Sequence, residues 1–381
     1  MILSRFFYKL DWVLILSALM LVFLGLTVMK PFNDLSSSNY FFERQIIWLI
    51  VGLLSFFAAA SIDWSFLKTN SIFLLMIYLI LLIILAGLLV SGRLTRGAAS
   101  WLNIGAINIE PVELVKPVLV LILAKYFAKR HIEIGRFWHL FISSLYAGIP
   151  MLLVMLQPDF GSAVVLGAIW LGVALVSGIK LRHLFFLFAI GLITATILWN
   201  FFFLPYQQSR ILSFINPGSD IRGAGYHALQ STIAIGSGEI FGKGIGFGTQ
   251  SRLAFLPEHT TDFIFAAFAE EWGLAGVFIL FLFFGAVIWR ILRAGIYGES
   301  NFEKLYAAGL AILLFFQASI HIGMNSGMLP ITGLGMPFLS YGGSSLVSLF
   351  FALGILESFS IHKKGIFIGS EERFKEGILG A

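Results

Sequence analysis

Ten apolar runs, set between short polar segments, constrain this chain more than any other feature: residues 12–29, 46–61, 71–90, 112–127, 140–156, 161–178, 184–204, 263–288, 305–324 and 338–360. Each approaches the ~20 residues that cross a hydrocarbon core ~30 Å thick as a helix. In such a core the chain must satisfy its own backbone N–H and C=O groups, and for runs of this length the helix is the element that does so. The sequence therefore predicts an all-α integral membrane protein of about ten transmembrane helices, organised as one polytopic membrane domain over residues 1–381. The first run follows Arg5 and Lys9, as a signal core would. It is too long for one and is followed by MKPFNDL rather than a small-residue cleavage site, so it reads as a retained span.

An even number of spans places both termini on one side. That side holds about twice as many of the 25 Lys and Arg residues as the other, among them Arg5, Lys9, Lys129, Arg130, Arg290, Arg293, Lys363 and Lys364. The positive-inside rule makes it cytoplasmic. The net charge of +5 is thereby a topology signal, and its dispersal between apolar runs argues against nucleic acid as a partner. With no Cys, neither disulfides nor thiolate metal sites are available.

Charged residues make up only 12% of the chain, so those at the mouths of spans are informative. In LPEHTTDFIFAAFAEE (256–271), Glu258 and Asp262 precede an apolar segment, and Glu270 and Glu271 follow it. A helix beginning near Thr261 would put Asp262 in its first turn, where free N–H groups favour an ionised carboxylate; an ordinary helix cap explains Thr261 and Asp262 equally well. In PVELVKP, Glu113 and Lys116 share a helix face, either as a mutual ion pair or as a cation oriented toward an anion. In QPDFGSA, Asp159 suits a helix cap. The run from Asn325 to Ser345, with Pro330, Pro337 and several Gly, cannot be helical throughout and is expected to line a protein or water-filled wall. All four groups fall on the outward side. Two long outward segments join them, residues 91–111 with Trp101 and the large loop 205–261 between spans seven and eight. The second contains a short helix expected over 227–235. Its GKGIGFG lacks the preceding strand and the GK[ST] ending of a phosphate loop.

LPEHTTDFIFAAFAEE, QPDFGSA, WLNIG with PVELVKP, GAGYHALQSTIAIGSGEIFGKGIGFGTQS and LPITGLGMPFLSYGGSS, in this arrangement over ten spans, resemble the SEDS membrane proteins of shape, elongation, division and sporulation. The resemblance covers nearly the whole chain, and GTQSRLAFLPE is similar to the elongation member RodA rather than to the division member FtsW. The chain departs from the family pattern at Thr260, where a His is common and where His259 stands one residue earlier, and at Val112, where a Ser is common.

The resemblance implies a peptidoglycan glycosyltransferase of the bacterial cytoplasmic membrane, multi-pass and with its active site on the outer face. It would polymerise lipid II onto undecaprenyl-linked glycan, with a class B penicillin-binding protein, the elongation machinery and membrane lipid as partners. Asp262 would be the general base on an acceptor sugar hydroxyl, directly or through a divalent cation such as Mg or Mn, and no organic cofactor is implied. Lys116, held by Glu113, would offset diphosphate charge, with Arg44 and Arg210 as further cations. Trp101, Asp159 and Glu258 complete the expected substrate-binding set. An α-linked donor giving a β-linked polymer implies inversion. A division-type polymerase, a lipid II flippase and a non-catalytic scaffold are the alternatives; no internal repeat of broken spans favours a transporter.

Overall fold

In a computed structural model, residues 2–35, 40–91, 101–104, 107–129, 137–202, 208, 212, 214, 224–253, 255–256 and 258–363 are described. Ten helices coincide with the ten apolar runs: α2 (Trp12–Leu35), α3 (Tyr40–Ser61), α5 (Ser71–Ser91), α6 (Pro111–Lys129), α7 (Phe137–Leu156), α8 (Phe160–Val176), α9 (Leu181–Ile197, continued by a π-helical turn, Leu198–Phe202), α12 (Ile264–Ile296), α13 (Asn301–Asn325) and α14 (Gly343–Ile361). Shorter elements intervene: α1 (Ile2–Lys9), α4 (Phe66–Thr69), α10 (Ala224–Ser237) and α11 (Thr249–Arg252). The helix expected over 227–235 is thus α10, longer at both ends. A β-hairpin was not foreseen: β1 (Leu102–Ile104) pairs antiparallel with β2 (Ile107–Ile109), Asn103 opposite Asn108.

Seven of the helices are long and apolar enough to cross a membrane by length and composition, namely α2, α3, α5, α7, α12, α13 and α14. The charges of α6 set it apart, and its position explains them. Val112, Val115, Leu119, Val120, Leu123 and Ala124 are all buried, so α6 lies inside the bundle against α13, α8, α5 and α14 rather than against lipid. Ionisable groups within spans belong in such interiors. At the end carrying both termini, Asp11 pairs with Arg290 (2.5 Å) and Glu357 accepts the Asp11 N–H (3.1 Å), tying α2 to α12 and α14, while Lys68 pairs with Glu303.

Breaks in the helices are repaired from outside them. Pro117 has no N–H to offer the Glu113 carbonyl one turn earlier, and the Ser348 hydroxyl of α14 donates to it at 2.5 Å. Pro150 leaves the Tyr146 carbonyl without its helical donor in the same way, and Tyr78 of α5 supplies one at 2.6 Å. The largest break is in α12, where Gly273 takes φ 66° and ψ −168°. Leu274 and Ala275 there donate to the carbonyls of Glu239 and Ile240 (2.9 Å each), and the carbonyls of Glu270 and Glu271 accept from Lys243 and Gly244 (3.0 Å each). A loop is spliced into the helix, and these four severed groups are satisfied by it. The Glu270 carboxylate fastens the rest of that loop, accepting from Lys243 Nζ (2.8 Å), Thr249 Oγ1 (3.0 Å), the Gln250 N–H (3.1 Å) and Ser251 Oγ (3.3 Å).

Two outcomes follow from these repairs. A Cβ at Gly273 would fall 2.3 Å from the Gly242 nitrogen, whereas one at Gly285 of the same helix meets nothing within 4 Å. Gly273→Ala is expected to cost about 2 kcal/mol or more and Gly285→Ala to be neutral or stabilising by up to about 1 kcal/mol, read as thermal melts in detergent. Tyr78→Phe strips the donor from a part-buried carbonyl and should cost about 1 kcal/mol in the same assay.

Candidate active site

Three helices begin at one place, each with a carboxylate at its start. Glu110 immediately precedes α6; its N–H donates to Ser344 Oγ (3.0 Å) and its carbonyl accepts from the Glu113 N–H (3.2 Å). Asp159 caps α8, its carboxylate accepting the Ser162 N–H at 3.0 Å, as the sequence suggests. Asp262 stands before α12. Here the structure corrects the expectation of a first-turn aspartate. Residues 258–263 form a turn in which the Glu258 carbonyl accepts from the N–H groups of Thr261 (3.1 Å) and Phe263 (3.2 Å), so the helix starts only at Ile264.

That turn is gripped by the last residue of α13 and the non-helical segment that follows it. Three successive carbonyls are held by three different donors: Thr260 by the Tyr341 N–H (2.9 Å), Thr261 by Ser340 Oγ (2.8 Å) and Asp262 by Asn325 Nδ2 (2.9 Å). Asn325 Oδ1 also accepts the Ala266 N–H (3.1 Å), one of the four donors that the start of α12 leaves free. Gly333, at φ +78°, passes close to the carboxylate; a Cβ there would lie 3.7 Å from Asp262 Oδ2. The first turn of α8 packs on the same segment, since a Cβ at Gly161 would meet Thr332 and Leu334.

Lys116, only 1% exposed, donates to Glu113 Oε1 (2.6 Å) and Gln317 Oε1 (3.3 Å), and Gln317 Nε2 in turn holds the Gly335 carbonyl (3.1 Å). Between Gln317 and Asn325, His321 holds the Leu334 carbonyl through Nδ1 (2.6 Å). Gln317, His321 and Asn325 are spaced four apart on one buried face of α13; the first two clamp the segment that frames Asp262, and Asn325 holds the Asp262 carbonyl itself. The expected sequence set did not include this stripe, whose signal is three polar side chains at one-turn spacing in an otherwise apolar span.

Glu110 was also not among the expected residues, although it is central. Burial first, then the carboxylates of Glu113 and Asp159, hold its carboxyl group well above the usual carboxylate range; Lys116 acts in the opposite sense and Asp262 in the same. Burial likewise raises Asp159. The structure thus brings Glu110, Glu113, Lys116, Asp159 and Asp262 into one electrostatic neighbourhood. Other expected residues sit differently. Arg44 lays its guanidinium over the Tyr40 ring (4.3 Å from the centroid), Trp101 is half-buried just before β1, and exposed Glu258 accepts from Thr261 Oγ1 (3.0 Å). Arg210 lies outside the described residues. Among the described residues no three His, Asp or Glu side chains form a cage for a metal ion.

Residues 6–365 match the cell cycle protein family FtsW/RodA/SpoVE. The chain is 36% identical over 349 residues to a protein of Escherichia coli strain K12 named peptidoglycan glycosyltransferase MrdB, covering 91% of this chain and 93% of that one. A Thioalkalivibrio protein named probable peptidoglycan glycosyltransferase FtsW is 35% identical, covering 91% and 88%. Among solved structures, a chain from work described as structural coordination of polymerization and crosslinking by a peptidoglycan synthase complex superposes with a TM-score of 0.77 at 31% identity, covering 93% of this chain and 98% of that one.

The geometry of Lys116 generates a prediction about stability alone. Lys116→Met leaves Glu113 as a buried charge without its cation and should cost about 3–5 kcal/mol. Adding Glu113→Gln removes both charges and should restore most of the thermal melt in detergent. A double variant no more stable than the single one would show that the ammonium is held mainly by something other than Glu113.

Proposed function

Because the chain belongs to the FtsW, RodA and SpoVE family of cell cycle proteins, we infer that its clustered carboxylates and Lys116 are the machinery that polymerises lipid II into glycan strands. The chain is an integral membrane peptidoglycan glycosyltransferase. Our reading concerns which groups perform the reaction and where.

The observation that carries it is the triple clamp on Thr260, Thr261 and Asp262. Fixing three consecutive carbonyls fixes where the Asp262 carboxylate stands, and general-base catalysis needs a carboxylate so positioned. Asp262 takes the proton from the acceptor GlcNAc hydroxyl as that oxygen bonds to the anomeric carbon of the donor. The lipid-linked diphosphate leaves with the electron pair of the broken bond, on the opposite face, and the configuration inverts. Lys116, drawn into place by Glu113 and Gln317, supplies positive charge toward the departing diphosphate, and the starts of α6, α8 and α12 add the positive ends of their dipoles. Asp262 would be the protein ligand of a divalent cation, Mg or Mn, which would offset the negative charge of the diphosphate.

On this reading the site faces outward from the bacterial cytoplasmic membrane, where lipid II is presented, and the strand grows on undecaprenyl diphosphate. A class B penicillin-binding protein beside it would crosslink the product; a solved neighbour comes from a complex in which polymerisation and crosslinking are coordinated. We assign the elongation role on GTQSRLAFLPE. Identities of 36% and 35% to proteins named MrdB and FtsW do not separate elongation from division.

Asp262→Asn preserves shape and the backbone clamp while removing the base. It should lower strand synthesis from labelled lipid II at least ~100-fold with an unchanged melt. A well-folded variant retaining more than about a tenth of parental synthesis would remove Asp262 from this role. The Glu113→Gln, Lys116→Met double variant should fold and yet fail to polymerise.

A further inference from the structure

Among the described residues two lysines are buried, and both stand on α6. Lys116 has Glu113 as its counter-ion. Lys125, 7% exposed and toward the other end of the helix, pairs with no carboxylate among the described residues. Its ammonium donates to a neutral acceptor, the Leu67 carbonyl in α4. The charge that faces it is a second ammonium, that of Lys129 one turn on. Lys129 likewise has a neutral partner, Ser71 Oγ at 3.2 Å, at the first residue of α5. Carboxylates at this end of the bundle are committed elsewhere, Glu303 to Lys68 and Asp11 to Arg290. An ammonium withdrawn from water beside another cation is strongly unfavourable unless an anion joins it. Each lysine keeps two N–H donors for one.

The surroundings say which anion fits. The pair lies at the end that carries both termini, where Trp64 stacks on Phe66 (5.8 Å) and Phe66 meets Phe73 edge-on (5.3 Å), aromatic rings of the kind that sit at a membrane surface. From Ser71 onward, Ile72, Leu75, Met76, Leu79 and Ile83 are exposed at helical spacing down one face of α5. Two cations thus stand at the head of an apolar track that begins at the residue Lys129 touches. A phospholipid has that shape, with its phosphate at headgroup level and its acyl chains below. A zwitterionic headgroup brings its own cation toward Lys129 and Lys68, so a net negative one is favoured. We propose that Lys125 and Lys129 bind the phosphate of an anionic phospholipid from the leaflet on the side of the termini, with an acyl chain lying along this face of α5. The site is separate from the carboxylate cluster and does not depend on the reaction performed there. It braces the far end of the helix on which Glu113 and Lys116 stand.

The test uses the full-length protein in an uncharged detergent, with dioleoylphosphatidylglycerol as the probe and the lipid-induced shift of the thermal melt as the readout. The parental protein should be stabilised by this lipid and not by dioleoylphosphatidylcholine or by inorganic phosphate. Lys125→Met should weaken the apparent affinity about tenfold, the loss of a hydrogen bond between charged groups. Lys129→Gln, at an exposed position, should weaken it about fivefold. Lys304→Gln removes an exposed lysine from the same side of the bundle and should leave it unchanged. A loss in Lys304→Gln equal to that in Lys129→Gln would reduce the effect to general surface attraction and overturn the proposal. An equal shift with phosphatidylcholine, or the whole shift from inorganic phosphate alone, would overturn it as well. If Lys125→Met does not fold, Lys129→Gln compared with Lys304→Gln decides.

Discussion

A backbone group at membrane depth has no water to turn to, and the architecture of this protein depends on meeting that constraint wherever a helix is interrupted. Pro117, Pro150 and the break at Gly273 each strand carbonyl groups, and each is answered by a side chain or loop from elsewhere in the chain. These answers are also the contacts that assemble the site. Ser348 reaches the Glu113 carbonyl and so locks α14 onto the helix that carries Lys116. Asn325 caps the start of α12 and in the same gesture holds the Asp262 carbonyl. The placement of Asp262 and the satisfaction of the backbone are met by one set of hydrogen bonds.

The electrostatics follow the same economy. Carboxylates at membrane depth are expensive, and three of them stand at helix starts, where the dipole and free N–H groups offset part of that expense. Glu113, the fourth, is held by Lys116. The result is a cluster in which one buried lysine and three helix starts stand among four carboxylates.

Much of this was legible in the sequence because the decisive signals are local. Span length and apolarity mark ten helices regardless of how they pack. QPDFGSA announces a cap at Asp159, and the Pro and Gly residues after Asn325 announce a segment that is not helical. Other features depend on contacts distant in sequence. Asp262 looks like a first-turn residue until Glu258 is seen to bind Phe263 and delay the helix. Glu110 reads as the end of a loop, since nothing in its neighbours shows that Asp159 and Asp262 lie beside it. The Gln317, His321 and Asn325 stripe was visible as a pattern but takes its meaning from Gly335, Leu334 and Asp262 across the bundle. The hairpin at Leu102–Ile109 is built from two three-residue strands, too short for a period-two signal.

The splice at Gly273 also bears on how such a chain is made. Its two halves lie about thirty residues apart, with the loop segment at 239–244 preceding the helix break at 270–275. During synthesis the loop therefore emerges first, and the bare groups of the broken helix meet waiting partners as soon as they are made. Taken alone, α12 would enter lipid with two carbonyls and two N–H groups exposed, which hydrocarbon penalises heavily. The loop and the helix are thus a single unit of insertion, delivered to the bilayer as one piece.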